Sequence, residues 1–156
     1  MEKLVQFGAG NIGRSFVGQL FARSGYEVVF IDIDKTLITA LNSRRAYRVI
    51  IKHGDRPDET IWVRNVRAVN ARDAEAVAEE VAEASILGTS VGSRALDGIL
   101  PLIAKGLELR RERHGDRPLD IIIAENLHSA SEFFRDGLRE SLPEGFALGR
   151  LVGLIE

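Results

Sequence analysis

Cysteine is absent from this chain of 156 residues. That removes disulfide scaffolds, thiol catalysis and thiolate metal sites, and no other metal site is expected. Lysine is scarce beside arginine, confined to Lys3, Lys35, Lys52 and Lys105, and glutamine to Gln6 and Gln19. Aromatic residues make up 6% of the chain, and no basic stripe interleaves with them. With 21 Lys+Arg against 23 Asp+Glu the net charge is −2, so nothing reads as a nucleic-acid footprint. No apolar run approaches the ~20 residues of a membrane span. The opening Met1-Glu2-Lys3-Leu4-Val5 enters a strand-like run at once, unlike a secretory leader. What remains is ordinary for a globular domain: 45% apolar and 28% charged residues. One domain over 1–156 is expected from the length.

The apolar pattern alternates between short buried runs and helical periodicity. Leu4 to Phe7 reads as a first strand, and Gly8 to Gly13 as a turn into a helix. On that helix Ile12, Phe16, Val17, Leu20 and Phe21 are expected to form one apolar face, ended by Gly25. Val28 to Ile31 is a second strand closing on Asp32, followed by a helix from Asp34 to Asn42. Tyr47–Ile51 and Thr60–Arg64 flank turn chemistry at His53–Asp58 and predict a hairpin near 46–64. Val66–Val69 is a further short strand, then Ala74, Val77, Ala78, Val81 and Ala82 mark an amphipathic helix. Its Glu75, Glu79, Glu80 and Glu83 are expected to face water.

Ser85–Thr89 is a strand, and a helical segment follows from Ser93 to Arg113, with Pro101 expected to kink or split it. Arg110, Arg111 and Arg113 would suit the negative end of that segment. Asp120–Ala124 is another buried strand, Phe133 to Leu142 a helix stopped by Pro143, and Leu151–Ile155 a sixth strand. The pentapeptide His-Gly-Asp-Arg-Pro occurs at 53–57 and 114–118 and reads as reused turn chemistry. Strands separated by helices require crossover connections. The expected fold is therefore α/β, a doubly wound, mostly parallel Rossmann sheet of about six strands with a hairpin insertion.

Gly8-Ala9-Gly10-Asn11-Ile12-Gly13 is a G-x-G-x-x-G turn between the first strand and its helix. Gly8 permits the tight turn, Gly10 lets backbone approach a pyrophosphate, and Gly13 allows close helix–strand contact. Open N–H groups and the positive end of the helix dipole then suit phosphate oxygens. Asp32 lies 24 residues after Gly8, where a carboxylate accepts hydrogen bonds from an adenosine ribose and repels a 2′-phosphate. NAD is thus favoured over NADP. The plainer reading is a turn capping an empty sheet, with Asp32 as a helix N-cap. Arg14 can neutralise pyrophosphate or simply be solvated.

After the fourth strand, Thr89, Val91 and Gly92 are candidates to line the nicotinamide side; an ordinary strand-to-helix turn is the alternative. Glu125-Asn126 follows the fifth strand, and a buried Asn126 there can donate to a developing alkoxide. His128 is a candidate base, though a histidine without a paired carboxylate is more often structural.

Phe7-Gly8-Ala9-Gly10-Asn11-Ile12-Gly13-Arg14 followed by Phe16 resembles the N-terminal motif of mannitol-1-phosphate 5-dehydrogenases, polyol-specific long-chain dehydrogenases. The likeness continues through Asp32, Ala40-Leu41-Asn42, Thr89-Ser90-Val91-Gly92, Ile103-Ala104-Lys105-Gly106 and Ile122-Ile123-Ala124-Glu125-Asn126. It departs at Ser15, where glycine is common. The resemblance implies an N-terminal Rossmann domain, a C-terminal helical domain carrying substrate and the basic lysine, and a cytoplasmic enzyme. It also implies oxidation of mannitol 1-phosphate to fructose 6-phosphate with NAD. Asn126 matches the cofactor-domain asparagine that helps hold the reacting oxygen in related mannitol dehydrogenases. The second domain is not in this chain, so the chain is expected to bind NAD without turnover. The apolar surface that domain would cover can instead pair with a second copy. Two other readings stand beside it: a free-standing NAD(H)-sensing module, and a mannitol 2-dehydrogenase or hexuronate reductase.

Overall fold

The structure is a computed structural model that describes residues 1–156. Continuous apolar runs put the strands inside. β1 (Lys3–Phe7) and β2 (Glu27–Asp32) are buried along nearly their whole length, as strands covered on both faces must be. β5 (Val66–Asn70), β6 (Ile86–Thr89), β7 (Leu119–Ile123) and β8 (Val152–Ile155) complete a six-stranded sheet in the order β5-β2-β1-β6-β7-β8. Every pairing in it is parallel, with Val5 of β1 between Val29 and Leu87. β3 (Ala46–Ile51) and β4 (Glu59–Arg64) form a separate antiparallel hairpin, inserted as the sequence predicts.

One face of the sheet packs on α3 (Ala74–Ala82), α4 (Leu96–His114) and α5 (Ala130–Ser141) through a core holding Val5, Phe7, Val81, Ile103 and Phe134. The other face carries Leu4, Val28 and Phe30 against the helix that follows β1, α2 (Lys35–Arg44) and the hairpin. Asp34 caps α2, accepting from the Thr36 and Leu37 N–H groups, and Asp73 caps α3 through the Ala76 N–H. A one-turn helix, α6 (Leu148–Leu151), precedes β8 and has no periodic signal in the sequence.

The structure corrects four expectations. The helix after β1 spans 11–23, π-wound over Gly13–Gly18 and α-helical over Gln19–Arg23 (α1). Its buried side is Gly13, Val17 and Gly18, while Ile12, Phe16 and Leu20 face solvent. Glycine is the reason. A Cβ on Gly18 would lie 2.7 Å from the Phe30 ring, so the small-residue side is the one that can press on the sheet. The bulky apolar stripe is left outside. α4 runs unbroken through Pro101, whose missing N–H costs one helical hydrogen bond against a buried face that includes Leu100, Ile103 and Leu107.

Glu80 does not face water. Its carboxylate binds Lys3 Nζ at 2.9 Å and the Arg67 guanidinium at 2.5 and 2.8 Å, and Arg67 also reaches Glu27. Burial alone would raise the Glu80 carboxyl, but the Arg67 and Lys3 hydrogen bonds outweigh it and hold the group below its usual value. Glu75 and Glu79 do stand at the surface, Glu79 gripped by Arg113 and Glu83 by His114. Arg110 turns inward instead of finishing the helix end in solvent. It is 3% exposed and donates to the carbonyls of Ala82, Ala84, Arg117 and Pro118.

Candidate functional site

Strand order reverses between β1 and β6, so the loops leaving these two strands diverge and open a crevice at their carboxyl ends. A cleft of about 250 Å³ occupies it. Its floor is Phe7, Gly8 and Ile31, and its sides are Gly10, Asp32, Ile33, Ala71, Ser90, Val91, Ala95 and Ile99. Ile33 is 63% exposed at the edge, an apolar side chain without a protein neighbour to cover it.

The glycine turn is built by close contacts. Gly8 has φ +92°, and a Cβ there would sit 2.5 Å from the Ser90 carbonyl oxygen. A Cβ on Gly13 would sit 2.1 Å from the Gly8 carbonyl oxygen, so that position admits no side chain. Gly10 has nothing within 4 Å of its would-be Cβ; the space above it is open. The first helical donor is Arg14, whose N–H bonds the Gly10 carbonyl, and the N–H groups of Gly10, Asn11, Ile12 and Gly13 meet no protein acceptor. Four open donors at a helix start, the first of them beside cleared space, can hold phosphate oxygens.

Asp32 ties the turn down. Its Oδ2 accepts from the Ala9 N–H at 2.8 Å, and its Oδ1 accepts from Ile33 N–H at 2.7 Å and Asp34 N–H at 3.0 Å. A carboxylate offers about four acceptor positions, so one remains, on Oδ2, and Asp32 lines the cleft. The N-cap of α2 is Asp34, which removes the plainer reading of Asp32 as that cap.

On the far wall Glu125 accepts from the Val91 N–H at 2.7 Å and the Gly92 N–H at 2.9 Å. That carboxylate staples the loop after β6 and uses both backbone donors. Val91 still lines the cleft through its side chain, whereas Gly92 is exposed outside it. Thr89 is fully buried behind the cleft, its hydroxyl without a partner. Asn126 is exposed rather than buried, and neither it nor His128 reaches the cleft. Glu125, one residue earlier, is the side chain of this loop that binds the loop after β6. Ile33, Ala71, Ala95 and Ile99 are walls that sequence reasoning missed. Ile33 and Ala71 are single apolar residues just past strand ends, and Ala95 and Ile99 lie at a helix start, so none leaves a periodic signal pointing to the cleft.

A sequence profile described as the mannitol dehydrogenase Rossmann domain matches residues 2–148. The chain belongs to that family. Relatives include the mannitol-1-phosphate 5-dehydrogenase of Lactococcus lactis subsp. lactis, 41% identical over 98% of this chain and 40% of that enzyme. The corresponding enzyme of Geobacillus thermodenitrificans is 43% identical over 91% of this chain and 36% of its own length. The chain thus spans between 36% and 40% of these curated relatives. Among solved structures, Pseudomonas fluorescens mannitol 2-dehydrogenase in ternary complex with NAD and D-mannitol superposes with TM-score 0.71. Its identity is 13%, over 88% of this chain and 36% of that one. Octopine dehydrogenase with NADH and L-arginine gives 0.68 at 18% identity, over 99% and 34%. Both are likenesses of fold.

Proposed function

We propose that the cleft binds NAD and that the chain is the cofactor-binding part of a mannitol-1-phosphate 5-dehydrogenase. One observation carries this: four N–H groups without a protein acceptor, Gly10 to Gly13, stand at a helix start with open space above Gly10, near a carboxylate with a free acceptor. The N–H groups of Gly10, Asn11, Ile12 and Gly13 would take the pyrophosphate. Asp32 Oδ2 would accept from the adenosine ribose, and Ile33, Ala71, Val91, Ala95 and Ile99 would cover the adenine. NAD, when bound, supplies the hydride acceptor.

Mannitol 1-phosphate is the favoured substrate because the curated relatives at 41% and 43% identity carry that activity. Asp32 is the only titratable side chain lining the cleft, and three backbone donors already engage it. In this reading the cleft holds the adenosine and pyrophosphate, and the proton of the polyol hydroxyl is taken outside it. The exposed Ile12, Phe16 and Leu20 stripe offers a surface for a second copy, which sedimentation at rising concentration would reveal.

Calorimetric titration tests the reading. NAD should bind with a 1:1 stoichiometry, NADP at least about tenfold more weakly, and Asp32→Ala should lose most of the NAD affinity. Mannitol 1-phosphate added to the chain with NAD should produce no NADH absorbance. Absence of NAD binding, or steady turnover, contradicts it.

A further inference from the structure

A second cleft, of about 630 Å³, lies between α2, the hairpin and the helix over 11–23. Arg14, Arg44, Arg48 and Arg64 line it around Trp62, and it shares no lining residue with the cofactor cleft. No acidic side chain lines it, and none of the four guanidinium groups makes an ion pair. Several arginines outside the cleft are paired instead. Arg67 sits between Glu27 and Glu80, Arg113 against Glu79, and Arg150 against Asp116. In a chain of net charge −2, four converging and unpaired arginines form a local field that repels itself unless an anion enters.

The arrangement is held from the hairpin. Arg48 is directly opposite Trp62 across the strands, and Arg64 lies two residues along on the same face. Their guanidinium carbons stand 5.9 and 5.8 Å from the Trp62 ring centroid, within reach of cation–π attraction. Tyr47 Oη donates to the Arg14 carbonyl at 2.6 Å, locking the hairpin to the helix that begins at the glycine turn. Guanidinium forks match phosphate oxygens two at a time, and arginine keeps its charge at any working pH. A single carboxylate would leave most of this charge uncompensated; a phosphate ester or diphosphate would not.

We infer that this cleft is a second anion site, binding a phosphorylated small molecule apart from the cofactor. It stands whether or not the cofactor cleft takes NAD, because the two share no residue.

Trp62 is the only tryptophan, so its emission reads this cleft alone. Inorganic pyrophosphate should change that emission saturably, while sodium chloride of equal ionic strength should not. Arg44→Gln, which leaves both arginine–Trp62 contacts in place, should weaken pyrophosphate at least about tenfold with an unchanged melting curve. With NAD saturating the first cleft, Arg48→Gln with Arg64→Gln should abolish the pyrophosphate binding measured by calorimetry. Pyrophosphate should still bind after saturation with NAD. The inference is overturned if the emission never saturates, if chloride reproduces it, if Arg44→Gln binds normally, or if NAD displaces pyrophosphate.

Discussion

At the scale of single residues, the glycines of one turn do separable jobs. Gly10 faces open space and Gly13 faces the Gly8 carbonyl. Gly10→Ala should therefore melt close to the parent chain, yet bind NAD at least about tenfold more weakly, because its Cβ fills the approach to the N–H groups. Gly13→Ala should lose stability outright, since backbone must move to admit the methyl group. Thermal melts paired with NAD titrations check both; a Gly10→Ala chain with intact affinity would remove that glycine from the phosphate site. Arg110 is a different case. Its four carbonyl partners belong to the end of α3, the approach to β6 and the approach to β7. Arg110→Lys cannot reach them all, and leaves buried acceptors unpaired. It should cost roughly 2–4 kcal/mol in urea unfolding. The glycine turn and Asp32 were legible because their chemistry is local and their spacing is fixed. Glu125 and Arg110 were not. Their partners lie many residues away, and nothing in the neighbouring sequence announces a carboxylate or guanidinium drawn inward.

Elements show where periodicity informs and where it misleads. All six strands of the parallel sheet, the hairpin and every helix but α6 were readable from apolar runs and caps. The facing of the 11–23 helix was not, because periodicity finds bulky apolar residues while close packing here selects Gly13 and Gly18. The acidic face of α3 misled for a related reason. Glu80 looks like its solvated neighbours, but Lys3 on β1 and Arg67 on β5 reach it from the sheet. Its carboxyl lies below the ordinary value in the folded chain, so the unfolded chain binds the proton more readily. The stabilisation is therefore present above the ordinary carboxylate range and fades as pH falls toward the lowered folded value. Glu80→Gln should lose about 1–3 kcal/mol near neutral pH. The gap from the parent chain should narrow by about pH 3, below the usual carboxylate values. Urea midpoints across that range check the sign; a gap that widens in acid would mean the network is not what Glu80 contributes.

For the whole molecule, the sheet order decides where chemistry can occur. The reversal between β1 and β6 opens the only crevice to which the glycine turn, Asp32 and the stapled loop after β6 all contribute. No helix is long and apolar enough to cross a membrane. The chain spans 36–40% of its curated relatives. The most direct measurement follows backbone amides by heteronuclear NMR as NAD is added. The amides of Gly10, Asn11, Ile12 and Gly13 should shift most, with Asp32 and Val91 beside them. Shifts confined to another surface, or none at saturating NAD, would contradict the account.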